Sequence, residues 1–390
     1  MINSPYYFSG SFGIERETLR TDRSGRLAQT PHPFESDCIT RDFCENQIEL
    51  ITPVCSSIDE ALDSLAELDQ EAREVLGRNG ERIWLYSNPP HIETEDDIPI
   101  AAFDGSQSSK RDYRENLQRR YGKRLMLYSG IHFNFSFRRE FIGELHSGSD
   151  KTLREFTDEL YMKLYRLLIR NTWLIVLLTA ASPLYDISFD RDRESGIVRS
   201  RYSSMRNSER GYWNEFVPVL DCTDLRTFTA GIQRYVDKGM LFSASELYLP
   251  VRLKPRGSNS LQNLAENGID HIELRMFDLD PLHPLGIDRN DLAFAHLLML
   301  YLISLDDTGL TGEEQLEAVR SHQAAALYDI SGQTVFGKDM KTAAEDILSA
   351  MSRYFSAHTD ALEIIGYERE KLSGKRPCER ITDDIYRNLP

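Results

Sequence analysis

The chain contains short stretches in which polar and apolar residues alternate with the period of two that is typical of a half-buried β-strand. In the first of these, Glu15 and Glu17 fall on one face of an extended chain, whereas Ile14, Arg16 and Thr18 fall on the other. Carboxylates are rarely buried unless they are paired or bound to a cation. The stretch therefore predicts a strand whose acidic face lies in a functional cavity.

Two further stretches repeat this arrangement. Segment 42–52 brings three polar side chains to one side of an extended chain: Glu45, Gln47 and Glu49. Segment 129–136 alternates an aliphatic and aromatic row with a polar row that consists of His132, Asn134 and Ser136. Carboxylates packed together repel and raise each other's pKa, and a divalent cation removes that cost. We therefore predict a site for Mg²⁺ or Mn²⁺ with six candidate ligands: Glu15, Glu17, Asp42, Glu49, His132 and Glu246.

Two later stretches are predicted to extend the same polar face. A strand over 245–254 places Glu246 beside Arg252, and a strand over 272–278 places Glu273 beside Arg275. Acids that hold a metal ion and arginines that bind phosphate are the groups that phosphoryl transfer from a nucleotide requires. We expect Arg252 and Arg275 to stabilise the transferring phosphoryl group. The alternative is that both arginines form ordinary ion pairs with Glu246 or Glu273.

Apolar spacing elsewhere in the chain predicts helices. A helix over 57–78, capped by Ser57, is expected on the outer side of the sheet. The apolar runs at 173–181 and 292–305 are interpreted as buried helices, because they are too short or too polar to cross a bilayer.

The order of these elements predicts an α+β fold. We expect a single domain over 1–390, of which 289–390 is mainly helical. Loops rich in Gly and Ser are expected at 104–110 and 256–262, and the second is expected to form a flap over the nucleotide.

Composition narrows the class of partner. The 390 residues carry 46 Lys and Arg against 62 Asp and Glu, a net charge of −16, which argues against nucleic acid or an anionic membrane as the main partner. Small molecules are the expected partners, and the sequence does not predict an oligomeric state. The first residues lack the basic and apolar segments of a secretory signal, and the five cysteines show no CxxC spacing. We therefore expect a reducing, cytoplasmic location.

Two local signals are given less weight. Segment 332–339 is close to a phosphate-binding loop, yet Asp339 replaces the hydroxyl residue that would contact magnesium. Cys44 lies in the acidic stretch, where a small packed thiol is favoured over a redox sensor.

Seven short motifs occur in order along the first three quarters of the chain. They lie at 13–20; 39–43 with 49–53; 113–115; 129–132; 206–208 with 211–212; 246–248 with 250–252; and 272–275 with 278–281. With these motifs the chain resembles the glutamate–cysteine ligase family of the bacterial type, including the amino-terminal ligase half of bifunctional glutathione-synthesising enzymes.

The resemblance implies a fold and a reaction. The fold would be an antiparallel, half-barrel-like sheet related to the glutamine synthetase catalytic core, with helices packed outside. The reaction would be the first step of glutathione biosynthesis, in which ATP and Mg²⁺ serve to join the γ-carboxyl group of L-glutamate to the amine of L-cysteine through γ-glutamyl phosphate.

The resemblance also implies residue roles. Arg206 matches a ligand of a substrate α-carboxylate, and the positions that match the pocket of the cysteine side chain are Tyr113, Leu117 and Tyr212, with Arg114 next to them. Core packing is the alternative for the tyrosines and Leu117. For the acids, the alternative is a set of salt bridges to Arg16, Arg20 and Arg114. For the whole protein, the alternatives are a γ-glutamyl ligase that uses a different amine and a catalytically silent regulatory homologue.

Overall fold

The computed structural model describes residues 1–103 and 108–385. The strands are β1 Gly10–Thr21, β2 Ile39–Arg41, β3 Gln47–Ile51, β4 Arg82–Trp84, β5 Gly130–Phe137, β6 Leu184–Asp186, β7 Ile197–Arg199, β8 Val251–Lys254, β9 His271–Asp278, β10 Thr334–Val335 and β11 Lys338–Asp339. The helices are α1 Ile58–Arg78, α2 Ser108–Tyr121, α3 Arg139–His146, α4 Leu153–Thr179, α5 Leu225–Asp237, α6 Leu261–Asn267, α7 Arg289–Ser304, α8 Gly312–Ala325, α9 Met340–Tyr354, α10 Thr359–Ser373 and α11 Pro377–Asp384.

The main sheet is antiparallel and open. Its strand order is β2-β3-β1-β5-β9-β8, and β4 pairs with the last residues of β1. The long strand β1 is central, because it pairs with β3 along one edge and with β5 along the other. The predicted α+β class with an antiparallel sheet is confirmed.

The two faces of the sheet differ as the alternation predicts. The apolar face, which includes Ile14, Ile131 and Phe133, belongs to a large core and is fully buried. Helices α1, α4 and α7 contribute most of the helical side chains to that core. The opposite face carries the polar residues of β1, β3, β5 and β9 and opens into a cavity.

Helix α1 begins and ends as predicted. The Ser57 hydroxyl accepts a hydrogen bond from the Glu60 backbone N–H at 3.1 Å, which satisfies one of the free donors of the first turn. On the sheet side, the Asp69 carboxylate of α1 accepts from the guanidinium of Arg16, which is fully buried on β1. The helix is therefore joined to the outer face of the sheet by a buried ion pair as well as by apolar packing.

Three local predictions need correction or comment. The strand predicted over 245–254 is wrong in its first half: 244–246 forms a 3₁₀ turn, and β8 begins at Val251. Of the loop predicted at 104–110, residues 104–107 lie outside the described residues, and helix α2 already begins at Ser108. Segment 332–339 forms the β10–β11 hairpin, and the Asp339 carboxylate caps α9 by accepting from the Thr342 N–H at 2.9 Å.

Within the described ranges, no helix combines the length and apolar character that a membrane crossing requires. The described part of the chain beyond Asp288 contains helices α7 to α11 and the β10–β11 hairpin. The single-domain organisation stays a prediction.

Candidate active site

Strand register brings the predicted acids together. Glu17 on β1 lies directly opposite Glu49 on β3, and Glu15 on β1 lies directly opposite His132 on β5. Directly opposed residues have Cβ atoms about 4.5–5.5 Å apart, so all four side chains project from one small area of the polar face. We call Glu15, Glu17, Glu49 and His132 the central cluster.

His132 lies at the middle of this cluster. Its Nδ1 atom is 3.3 Å from Glu15 Oε2 and 3.5 Å from Glu273 Oε1, and its Nε2 atom is 3.4 Å from Glu17 Oε1. Two sets of three potential ligand atoms lie within 4.8 Å of one another: one from Glu17, Glu49 and His132, and one from Glu15, His132 and Glu273. The imidazole thus belongs to both sets.

The electrostatics of the cluster favour a cation. Burial, followed by repulsion from Asp42, raises the pKa of Glu17 to about 8. Burial, followed by repulsion from Glu15, also raises the pKa of Glu49 well above its ordinary value. Burial and then the positive charge of Arg275 lower the pKa of His132, which keeps its imidazole neutral and able to ligate. Oxygen ligands with one neutral imidazole suit Mg²⁺ or Mn²⁺.

Glu273 was not predicted as a metal ligand, but the structure places it at the cluster. Its side chain is fully buried, and its Oε1 atom accepts from Arg275 Nη1 at 2.9 Å. Lys254 Nζ lies 3.4 Å from its Oε2 atom. Burial alone would raise the pKa of this carboxyl group, but Arg275 and Lys254 outweigh it and lower the pKa to about 2. Glu273 is therefore an ionised carboxylate beside His132.

Glu246 does not reach the cluster. It is fully buried in the 3₁₀ turn, where Oε1 accepts from Arg120 Nη1 at 2.6 Å and from the Tyr121 hydroxyl at 2.7 Å. Its Oε2 atom accepts from the Phe242 backbone N–H at 2.5 Å. Both oxygens are occupied by protein donors, so the structure contradicts the expectation that Glu246 shares a metal ion with His132.

Asp42 lies at the rim of the cavity. Its carboxylate Oδ1 atom is 4.0 Å from Arg114 Nη2. The side chain lines the cavity together with the central cluster, although it is not one of the close ligand atoms. Its negative charge contributes to the raised pKa of both Glu17 and Glu49.

The alternative salt bridges from the central cluster to Arg16, Arg20 and Arg114 are not formed. Arg16 lies on the opposite face and pairs with Asp69, and Arg20 pairs with Glu81 at 2.7 Å. Arg114 donates to a backbone carbonyl oxygen through Nε. These three arginines leave the carboxylates of the central cluster without the predicted partners.

Arg252 and Arg275 line the same cavity. Arg275 pairs with Glu273, as the ion-pair alternative proposed, and Arg252 Nη2 donates to the backbone carbonyls of Ser245 at 2.7 Å and Leu247 at 2.9 Å. Burial and the proximity of Arg275 lower the pKa of Arg252 below its ordinary value. Two guanidinium groups therefore face one region of the cavity, an arrangement that suits a phosphate or a carboxylate.

Arg206 reaches the cluster across a glycine. Its Nη1 atom donates to the Phe277 carbonyl at 3.1 Å, and its Nη2 atom lies 3.4 Å from His132 Nε2. A Cβ atom at Gly130 would stand 2.4 Å from Arg206 Cζ. Gly130 therefore supplies the space through which this guanidinium reaches the polar face.

An aromatic pocket adjoins the cluster. Helix α2 contributes Tyr113 and Leu117, and other segments contribute Met126, Tyr212 and Tyr248. The ring centroids of Tyr212 and Tyr248 are 5.5 Å apart in an edge-to-face arrangement. The cavity that joins this pocket to the central cluster has a volume of about 370 Å³.

Sequence reasoning missed part of this lining. Tyr248 lines the cavity and was given no role, although the 246–248 motif contains it. Trp213 and His322 also line the cavity. His322 belongs to α8, far along the chain, and no local pattern distinguishes it from an ordinary helical histidine. The Cys44 thiol is buried and donates to Asn46 Oδ1 at 2.8 Å, as expected for a packed thiol.

A second cavity, of about 1200 Å³, lies along the start of β1 and the end of β5 and shares Glu15 and Ile51 with the first. Four arginines line its wall: Arg138, Arg139, Arg154 and Arg256. Three acids, Glu140, Asp158 and Asp270, also line it. The shared residue Glu15 joins this larger space to the central cluster.

Carboxylates, an imidazole and guanidinium groups thus lie together between a small aromatic pocket and a larger cavity, an arrangement that suits the binding of charged small molecules. The family model described as glutamate-cysteine ligase matches residues 3–238 and 216–325. The chain belongs to the glutamate–cysteine ligase family.

Similar proteins agree with this membership. The chain is 32% identical to the glutamate–cysteine ligase of Clostridium acetobutylicum over 373 residues, which cover 82% of this chain and 76% of that protein. It is 32% identical over 410 residues to the glutathione biosynthesis bifunctional protein GshAB of Clostridium perfringens, with 98% of this chain and 52% of the relative covered. The chain thus spans about half the length of the bifunctional relatives it matches.

Solved structures share the fold. The glutamate–cysteine ligase of Francisella tularensis, crystallised in complex with AMP, has a TM-score of 0.86 at 22% identity, with 97% of this chain and 85% of that chain covered. The bifunctional glutathione synthetase of Pasteurella multocida has a TM-score of 0.84 at 26% identity, with 97% of this chain and 50% of that chain covered.

Proposed function

We propose that this chain catalyses the ATP-dependent ligation of the γ-carboxyl group of L-glutamate to the amine of L-cysteine, the first step of glutathione biosynthesis. The observation that carries the proposal is the register of β3, β1 and β5, which places the central cluster beside Arg252, Arg275 and Arg206 in one cavity. Family membership and the relatives named glutamate–cysteine ligase support the same reaction.

The reaction has two steps. A carboxylate does not accept an amine directly, because oxide is not a viable leaving group. A γ-carboxylate oxygen of glutamate therefore attacks the γ-phosphorus of ATP, which forms γ-glutamyl phosphate and releases ADP. The cysteine amine then attacks the acyl carbon, the C–O bond to phosphate breaks, and inorganic phosphate leaves as the amine loses its proton.

The residues of the cavity fit these steps. Glu15, Glu17, Glu49 and His132, with Glu273 beside them, would hold magnesium ions, which neutralise the charge of nucleotide phosphates when bound. Arg252 and Arg275 face the same space and would stabilise negative charge on the transferring group. Glu246 takes no direct part in this scheme, because both of its carboxylate oxygens accept hydrogen bonds from protein donors.

The two cavities divide the substrates. We assign the larger cavity to ATP, because it carries four arginines and shares Glu15 with the central cluster, where the phosphates would lie. The smaller cavity would then hold both amino acids, with Arg206 available for an α-carboxylate and the ring pocket for the thiol. The pocket discriminates modestly, since one methylene is worth only about 1–3 kcal/mol.

The alternative amine acceptor and the silent homologue make different predictions. The intact cluster speaks against a silent homologue, because buried carboxylates that repel one another destabilise a protein that has no use for them. The choice of amine depends on the ring pocket, which suits a thiol but also fits other small side chains.

Product identification tests the proposal. The protein is incubated with ATP, Mg²⁺, glutamate and each amine of a panel, and products are identified by mass spectrometry alongside ADP release. We expect γ-glutamylcysteine as the preferred product. Glu49→Gln should abolish turnover, whereas Glu74→Gln, the same change on the outer helix α1, should leave it intact. A different amine preferred by a large factor would refute cysteine specificity, and full turnover by Glu49→Gln would remove that residue from the site.

A further inference from the structure

Helix α2 forms one wall of the aromatic pocket but has little apolar anchoring of its own. Of the α2 side chains that the structure describes, only Leu117 is buried. Tyr113, one turn earlier, packs beside it at the pocket. The rings of Tyr113 and Tyr121 are partly buried against the same apolar cluster, so the apolar anchor is modest and polar contacts add to it.

The carboxyl-terminal end of α2 is held by one buried carboxylate. Arg120 and Tyr121, the last two residues of the helix, both donate to Glu246 Oε1, at 2.6 and 2.7 Å. Gly122 then ends the helix in a left-handed conformation (φ 78°). Glu246 itself is fully buried and Arg120 is 22% exposed, so these are charge-assisted hydrogen bonds to a buried carboxylate.

The same carboxylate also holds the opposite wall of the pocket. Its Oε2 atom accepts from the Phe242 N–H, and the Phe242 ring lies 6.3 Å, centroid to centroid, from that of Tyr113. The backbone carbonyl of Glu246 accepts a hydrogen bond from Asn214 Nδ2 at 2.7 Å, and Asn214 Oδ1 accepts one from the Tyr248 N–H at 2.9 Å.

We infer that Glu246 is a positioning residue for the acceptor amino acid: by joining Arg120 and Tyr121 to the 242–248 segment, it sets the distance between Tyr113 and Leu117 on α2 and Tyr248 on the opposite wall. This role rests on the proposed ligase function, because the pocket between these walls is the one assigned to the acceptor side chain. This role also explains why the 246–248 motif contains a buried acid that does not reach the central cluster.

The chain offers a matched control for this inference. Arg120 has a second acidic partner, Glu215, whose Oε2 atom lies 3.3 Å from Arg120 Nε and whose side chain is 60% exposed. Exposed ion pairs contribute little, whereas the fully buried Glu246 carboxylate accepts from both Arg120 and Tyr121. Glu215→Gln and Glu246→Gln therefore remove the same charge from the same arginine, and only the second should loosen α2.

Two measurements on the full chain test the inference. Hydrogen exchange of the α2 backbone amides should be accelerated at least tenfold in Glu246→Gln and unchanged in Glu215→Gln. In steady-state kinetics, Glu246→Gln should raise the KM for the acceptor about tenfold or more, while the KM values for ATP and glutamate stay within twofold of wild type. Arg120→Lys keeps the positive charge, so it should raise the acceptor KM less than Arg120→Met does.

A double variant separates a shared anchor from independent effects. Arg120→Met combined with Glu246→Gln should raise the acceptor KM no further than the stronger single change, because both act through one contact. Unchanged exchange in Glu246→Gln would overturn the inference. Faster exchange with an unchanged acceptor KM would also overturn it, since Glu246 would then be only structural. If wild type forms no product with any amine, the proposed function fails first, and the exchange data alone decide whether Glu246 anchors α2.

Discussion

Substitution of Gly130 by Ala tests whether the position of Arg206 matters. The backbone of Gly130 is that of an ordinary strand residue, so an alanine is not strained there by its φ angle. The added Cβ atom would lie 2.4 Å from Arg206 Cζ and 2.7 Å from both Nε and Nη1. An ordinary contact needs about 3.5 Å, so the guanidinium must retreat by about 1 Å.

That retreat has a calculable consequence. The Arg206 Nη1 hydrogen bond to the Phe277 carbonyl, now 3.1 Å long, would stretch beyond the hydrogen-bonding range. A hydrogen bond from a charged group contributes about 1.5–3 kcal/mol, and a displacement of about 1 Å in a positioning residue costs about a hundredfold in rate. We therefore expect kcat/KM for the amino acid held by Arg206 to fall about 10- to 100-fold in Gly130→Ala.

Gly13→Ala is the matched control. Gly13 lies on the neighbouring strand β1 and on the same polar face, but a Cβ atom there would meet only Asn134 Cβ at 3.6 Å and Thr52 Oγ1 at 4.0 Å. At saturating ATP, its KM values for the amino acids should stay within about twofold of wild type, because the added Cβ atom makes only ordinary van der Waals contacts. Initial rates of ADP release with each amino acid varied in turn, together with thermal melting of each variant, provide the comparison. Wild-type kinetics in a folded Gly130→Ala protein, or an equal loss in Gly13→Ala, would refute the reasoning.

Three other predictions concern the central cluster and the stability of the fold. Saturating Mg²⁺ or Mn²⁺ with nucleotide should stabilise the wild-type protein by about 2.7 kcal/mol at a hundredfold excess over Kd, and Glu17→Gln should lose most of this gain in thermal melts; an equal gain in both would exclude Glu17 as a ligand. Asp69→Ala leaves buried Arg16 without its partner and should lower the free energy of unfolding in urea by about 3–5 kcal/mol, whereas Asp59→Ala, which breaks an exposed pair on the same helix, should cost about 1 kcal/mol or less. Burial lowers the pKa of His296 from 6.5 to about 3, so the stability contributed by its neutral imidazole is complete above pH 6.5 and is lost as the pH falls towards 3. Between pH 7 and pH 5, the free energy of unfolding should fall by about 2 kcal/mol more in wild type than in His296→Phe, and equal losses in both proteins would contradict this.

The sequence predicted the part of the site that depends on strand periodicity. An extended chain has a fixed period of two, so Glu15 and Glu17 had to share a face, and so did His132 and Asn134. The register that sets Glu17 opposite Glu49 could not be calculated from these patterns, but one buried face leaves few alternatives, because a slip of one residue would expose the apolar row.

The errors occur where the chain leaves regular structure. Glu246 was assigned to the polar face on the assumption that 245–254 was one strand, but a 3₁₀ turn at 244–246 directs its side chain towards α2 instead. Glu273 showed the same acid–arginine spacing and lies in a true strand, so its side chain does reach His132. Periodicity assigns a carboxylate to a face only while the strand continues. Because a turn of three residues precedes β8, Glu273 and not Glu246 lies beside His132. A buried acid in a motif is therefore better tested first for cationic and phenolic partners on a neighbouring helix, because those partners, and not its spacing along the chain, decide whether it holds a metal ion or a wall of the pocket.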